Sequence, residues 1–159
     1  MPITFEPIGT IYTSFKTKDG MPIQSNGAKG LEGQIIVKDE FIPGLTDLDG
    51  FSHILLIYHF HKSIGFELQP IPFLDDKKRG VFATRAPKRP NSIGISVVRL
   101  LRIEKNILYI ENVDMLDETP LLDIKPYIPD FDMHITEKNG WIENKTDKLN
   151  KSKSDRRFE

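Results

Sequence analysis

"HILLIYHF", residues 53–60, is a nearly continuous apolar run, and its reading decides the fold. Without a polar alternation it predicts a strand buried on both faces. "IGISVVRL" (93–100) places Ile93, Ile95 and Val97 on one face and Val98 and Leu100 on the other, so it too reads as a central strand. "GLEGQIIV" (30–37) and "ILYIENV" (107–113) are short, rich in branched residues and bounded by turn residues, which adds two more strands. Eleven glycines and eleven prolines punctuate these runs. The best helical candidate before residue 136 is "PGLTDLDGF" (43–51), with Leu45, Leu48 and Phe51 spaced by three. Many short strands with turn signals argue an all-β barrel or sandwich. No βαβ rhythm and no Gly-rich strand–helix turn appears, which disfavours a Rossmann-type nucleotide fold.

The chain has 159 residues, which sets one compact domain as the expectation. Its formal net charge of -1 excludes a uniformly basic nucleic-acid coat and leaves room for a local basic patch. The absence of cysteine excludes disulfides, a thiolate nucleophile and cysteine-ligated zinc. The start, "MPITFEPIGTIYTSF", has no charged n-region followed by an apolar stretch, and no apolar run nears the roughly 20 residues that span a bilayer. The expectation is a cytoplasmic protein without a membrane segment. Residues 136–159 change character, with seven Lys and Arg against five acids. The division expected is a domain over 1–135 and a C-terminal extension over 136–159, docked through Trp141 and mobile beyond Leu149.

Three constellations could carry chemistry. Residues 77–89 hold six cations (Lys77, Lys78, Arg79, Arg85, Lys88 and Arg89) and no acid. They read either as a solvated loop of gatekeeping charges or as a phosphate-contacting patch. Arg85 ends "GVFATR", where a strand is expected to hand over to a loop, and Pro87 and Pro90 stiffen that loop. In "DMLDETPLLDIKPY" (114–127), Asp114, Asp117, Glu118 and Asp123 crowd one turn, with Lys125 and Tyr127 just after it. Asp and Thr favour turns anyway, but the clustering allows a perturbed carboxylate or a cation-holding site. His53, His59 and His61 share parity, so one regular strand would point all three to one face. "HFHKSIGFE" approaches a cupin metal signature, but the spacing from His61 to Glu67 is off, and packed or pocket-lining histidines are the expectation rather than a metal site.

"GVFATRAPKRPNSIGISVVRLL" (80–101) with "VDMLDETPLLDIKPYIP" (113–129) after it resembles the TsaA-like family of TrmO-type tRNA methyltransferases. "FEPIGTIYTSF" and "LDGFSHILLIYHFH" are similar to the family opening and its next block, in order. The resemblance runs from about Thr4 to Pro129. It implies a small single-domain β-barrel with short helical turns, mainly β, that binds S-adenosylmethionine. It implies a homodimer. It implies methyl transfer to N6 of threonylcarbamoyladenosine next to the anticodon of tRNA, the threonine-accepting species above all. Position by position, it implies cofactor contacts from Pro22, Ile23, Gln24, His61, Lys62, Arg85, Ile95, Asp117, Glu118, Thr119 and Pro120. Ile23 stands for an Arg of the family pattern, Lys62 for a Gln, Ser92 for a Pro and Glu118 for a Gly. The last is awkward wherever φ must be positive.

Methyl transfer from a sulfonium needs in-line alignment and exclusion of water more than covalent help. Asp117 or Asp114 is the candidate to orient the N6–H or accept its proton. Arg85 suits the cofactor carboxylate. Lys88, Arg89, Asn91, Lys125 and Tyr127 are candidates for substrate contacts. Two other classes stay open on the residues: a metal-dependent cupin-like enzyme, and a non-catalytic barrel that binds RNA or a nucleotide.

Overall fold

The computed structural model describes residues 1–19, 21, 30–143 and 145. Among the described residues six strands form in chain order: β1 (Gly9–Tyr12), β2 (Glu32–Val37), β3 (His53–His59), β4 (Ile93–Glu104), β5 (Ile107–Glu111) and β6 (Thr119–Pro126). They close into a barrel in the order β1-β2-β5-β4-β3-β6, and every neighbouring pair is antiparallel. Closure pairs the backbone donors and acceptors that an open edge would leave exposed.

Alternation along each strand fills the interior. Ile11, Ile35, Ile54, Leu56, Val98, Leu108, Ile110 and Leu121 are all fully buried. Each such side chain contributes about 1.5–3 kcal/mol relative to remaining in water. The barrel is one layer thick, so its wall has one dry face. This corrects the expectation for "HILLIYHF": Ile54, Leu56 and Tyr58 are buried, whereas His53, Leu55, Ile57 and His59 point outward and are half-buried. β4 is central, between β3 and β5, but its outer face is open, with Ile93 and Ile95 42% and 49% exposed. An apolar run in a closed barrel therefore marks an outer face with apolar residues to spare. Gly94 pairs with Tyr58, and a side chain at Gly94 would strike the rings of Tyr58 and Phe60. Those rings meet edge to face at 5.6 Å.

The connections carry the short helical turns. "PGLTDLDGF" divides into parts of two 3-10 segments, Asp39–Leu45 and Leu48–Gly50, separated where Asp47 takes φ 70°. Leu48 reaches the core from this connection. "GVFATR" is not a strand end: Val81–Ala83 is one 3-10 turn, and extended backbone begins only at Thr84. The long β3–β4 connection closes on itself through backbone bonds from Glu67 N–H to Lys88 C=O (3.2 Å), Val81 N–H to Leu68 C=O (2.8 Å) and Arg79 N–H to Pro70 C=O (2.9 Å). After β6 comes the four-residue helix α1 (Pro129–Asp132). Trp141 then donates its indole N–H to the carbonyl of Ala83 at 2.7 Å. The tail expected beyond Leu149 lies outside the described residues.

Candidate functional site

One mouth of the barrel gathers the chain segments that carry the candidate residues. Residues 13–16 leave β1 there, residues 60–62 leave β3, residues 84–92 lead into β4, and residues 112–118 cross from β5 to β6. Hydrogen bonds tie these segments together. Thr13 Oγ1 donates to Met115 C=O at 2.9 Å, Asp117 N–H to Phe15 C=O at 2.7 Å, and Phe60 N–H to Ser92 C=O at 2.8 Å. His59 Nδ1 also donates to the Ser92 carbonyl, at 3.2 Å, so Ser92 is held by its backbone where the family pattern has a proline.

The two candidate carboxylates sit in opposite environments. Asp117 accepts the Thr13 N–H on Oδ1 at 2.9 Å and pairs with Lys16 on Oδ2. The Lys16 hydrogen bond holds its carboxyl below the usual carboxylate range. It also borders an open cleft of about 390 Å³ on the outer wall, between Tyr12, Gln34 and Tyr109. Asp114 is the reverse. It is half-buried, and burial pushes its carboxyl up to about 6. Ser96 Oγ donates to its Oδ1 at 2.6 Å, and the phenol of Tyr58 lies 2.8 Å from Ser96 Oγ. Arg85 acts on Asp114 electrostatically and favours its charged form. A group with a near-neutral pKa beside a cation can take a proton and hold it; Asp117, already charge-paired, is a weak base.

His61 lies next along the rim. Burial first, then the charge of Lys62, hold its pKa below the ordinary value, and the charge of Glu118 acts the other way. The neutral form of His61 is thereby favoured, and its Nε2 is buried with no hydrogen-bond partner among the described residues. Glu118 has φ 64°, the left-handed conformation that the glycine of the family pattern suits. Thr119 is buried at the start of β6 and donates to Leu116 C=O at 2.6 Å, so it serves the turn. Pro120 pairs with Thr10 across β1 and β6.

The basic loop spends one of its cations on itself. Arg89 Nη1 donates to Thr84 C=O at 3.0 Å and to Ala86 C=O at 3.1 Å, the carbonyls on either side of Arg85. Trp141 takes the Ala83 carbonyl just before them. Arg79 binds Asp75 at 2.6 Å and lies over the Trp141 ring.

Other candidates stand apart. Lys125 pairs with Leu55 in register and forms an ion pair with Asp123 at 2.8 Å. The Tyr127 ring packs against His53, at the other end of β3 from His59. Both therefore lie toward the far end of the barrel. Ile95 is on the outer wall, and Asn91 is exposed, with its carbonyl bonded to Ile93 N–H at 2.8 Å. Pro22, Ile23 and Gln24 lie outside the described residues. His53 and His59 share an outer face, but His61 is past the strand end, so the three do not form one row. Among the described residues no group of three or more His, Asp or Glu side chains is placed to hold a metal ion, and no helix is long and apolar enough to cross a membrane.

Sequence reasoning missed Tyr58 and Ser96. Their signal is parity: each is a hydroxyl on the inward face of an apolar strand, where a polar group must find a partner.

The family model described as the tRNA-methyltransferase O N-terminal domain matches residues 10–133. A probable S-adenosyl-L-methionine-binding protein of Pyrococcus abyssi is 52% identical over 156 residues, which cover 98% of this chain and 85% of that protein. A tRNA (adenine(37)-N6)-methyltransferase of Homo sapiens is 37% identical over 80% of this chain and 30% of its own length. The crystal structure of TrmO from Pseudomonas aeruginosa superposes with a TM-score of 0.75 at 37% identity, covering 89% of this chain and 63% of that one. The chain thus spans under two thirds of that solved protein and under one third of the human one.

Proposed function

Because the chain belongs to the tRNA-methyltransferase O N-terminal domain family, we propose that it transfers a methyl group from S-adenosylmethionine to the exocyclic N6 of an adenosine in tRNA. The observation that carries the reading is the half-buried Asp114 carboxyl at the barrel mouth, in the field of Arg85 and on the same rim as His61 and Glu118. The residues present fit the cofactor. His61 Nε2 is buried and has no partner among the described residues, so it has a hydrogen bond to offer a ligand. Glu118 supplies a carboxylate for the cationic groups of the cofactor, and Arg85 supplies a guanidinium for its carboxylate. When bound, the cofactor supplies an activated methyl group.

The chain's own residues have the remaining work. N6 of a carbamoyl-substituted adenine is a weak nucleophile because its lone pair is delocalised. Asp114 accepts the N6 proton as the new bond forms, which suits a carboxylate with a pKa of about 6. Asp117 ties the turn to β1, and Arg89 fixes the loop that presents Arg85. Lys88 and Asn91 flank the entrance as contacts for the RNA.

In its finer form, the substrate is N6-threonylcarbamoyladenosine next to the anticodon of threonine-accepting tRNA, and the protein works in the cytoplasm as a homodimer. The open outer face of β4, with Ile93 and Ile95, supports a second copy packing there. Residues 1–135 act as the catalytic domain, and the C-terminal extension braces it through Trp141. The test is mass spectrometry of nucleosides from tRNA incubated with protein and labelled cofactor. A gain of one methyl on an adenosine derivative is expected; no transfer to any tRNA overturns the proposal.

A further inference from the structure

We infer that Ser96 and Tyr58 are positioning residues that hold the Asp114 carboxylate in one orientation and in its proton-accepting form, leaving Oδ2 as the atom that receives the proton. The inference rests on the reading of Asp114 as the base. The geometry is a chain of three side chains from β3, β4 and the β5–β6 turn. Tyr58 Oη lies 2.8 Å from Ser96 Oγ, and Ser96 Oγ donates to Asp114 Oδ1 at 2.6 Å.

The direction of this chain is fixed by proton counting. A carboxylate only accepts, so Ser96 commits its single proton to Asp114. The remaining contact of Ser96 must then be an acceptance, and Tyr58 is its donor. Burial, then the Asp114 charge, push the Tyr58 hydroxyl well above the ordinary phenol value, so it stays a donor throughout the working range. Tyr58 and Ser96 are each 4% exposed, which keeps bulk water from replacing either bond. Protonating Oδ1 would force the whole chain to reverse and leave the phenol proton without its partner. Protonating Oδ2 leaves the chain as it is. Among the described residues the charge acting on the Asp114 carboxyl is Arg85, from the loop before β4, and the Asp114 charge acts in turn on Tyr58.

The barrel wall explains how two hydroxyls come to sit in an apolar interior. The ring of Tyr58 occupies the space that Gly94 leaves by having no side chain. Neither hydroxyl adds to core packing, and each would cost stability if unpaired. An apolar pair would serve the wall alone. The hydroxyls are there because the carboxylate is.

The experiment is a carboxyl-carbon NMR titration of Asp114 in the wild type and in Ser96→Ala, Ser96→Thr and Tyr58→Phe, beside the pH profile of kcat/KM for methyl transfer. Ser96→Ala is expected to raise the Asp114 midpoint by about one pH unit, a tenfold change in proton affinity. Tyr58→Phe, which keeps the ring against Gly94, is expected to raise it less, and Ser96→Thr to restore it. The acid limb of kcat/KM should move with the midpoint. An Asp114 midpoint unchanged in both Ser96→Ala and Tyr58→Phe overturns the inference, and Tyr58→Phe alone decides it if Ser96→Ala does not fold. A shifted midpoint with no acid limb in kcat/KM supports the chain and counts against Asp114 as the base.

Discussion

Asp117 accepts the backbone N–H of Thr13 at 2.9 Å, which stitches the β5–β6 turn to the end of β1. That bond, more than the ion pair with Lys16, is what the carboxylate contributes to stability. The Lys16 side chain is 71% exposed, and an ion pair of that kind is worth at most about 1 kcal/mol. Thr13 is buried, so its orphaned N–H would cost about 1–3 kcal/mol. Asp117→Ala should therefore lower stability by about that amount in denaturant titration. Asp117→Asn keeps an oxygen for Thr13 and should stay within about 1 kcal/mol of the wild type. It should also retain most turnover. A hundredfold loss of kcat in a folded Asp117→Asn variant would move the base from Asp114 to Asp117.

Arg89 should behave as a brace. Its guanidinium is committed to the carbonyls of Thr84 and Ala86, so removing it loosens the loop that presents Arg85. Arg89→Ala is expected to raise KM for the cofactor several-fold, with kcat less affected. A direct phosphate contact would instead show in the salt dependence of tRNA binding, where each phosphate that the protein neutralises adds nearly one to the log–log slope. The slope is expected to stay the same. A slope reduced by about one would make Arg89 a phosphate ligand.

The contrast between Asp117 and Asp114 shows which parts of the site a sequence can carry. Strand identity is legible because β2, β3, β4 and β5 are short runs rich in branched apolar residues and bounded by turn residues. The outer face of β4 is misread because closure of the barrel, not composition, decides which side stays dry. The turn from Asp114 to Pro120 is legible as a motif, including the awkward residue at 118. Its two aspartates cannot be ranked from sequence, because their environments come from register. Ser96 and Asp114 are 18 residues apart, and Tyr58 and Ser96 are 38 apart. Arg89 likewise reads as a ligand-facing cation. Pro87 and Pro90 have no N–H to offer, and the structure shows its side chain taking up loop carbonyls instead.

Glu118 holds φ 64° with an ordinary side chain. A non-glycine residue there costs roughly 1–2 kcal/mol. Glu118→Gly should relieve part of that and raise the melting temperature by about 2–4 °C for each kcal/mol recovered. The same change removes a negative charge that raises the His61 pKa. Proton NMR should find His61 titrating lower than in the wild type. A melting temperature that drops in Glu118→Gly would mean that the Glu118 side chain contributes more than its backbone costs.

Asp114 gives the pH dependence its sign. Its carboxyl rises from an ordinary 3.8 to about 6 on folding, mainly through burial, with Ser96 and Arg85 opposing. Between those values the folded protein binds more protons than the unfolded chain. The group therefore favours folding below about pH 4, and that contribution is lost as pH rises through 6. Above pH 6 the fold carries an ionised, half-buried carboxylate at a cost of about 1–3 kcal/mol. Asp114→Asn keeps an oxygen for Ser96 and removes that charge. It should be more stable than the wild type by about that amount at pH 7, and the two should converge toward pH 4. Urea titrations at several pH values measure the gap. Turnover should move the opposite way, falling by 100-fold or more, because the amide cannot accept the N6 proton. A variant no more stable than the wild type at pH 7 would mean that Arg85 offsets the burial of the carboxylate in full.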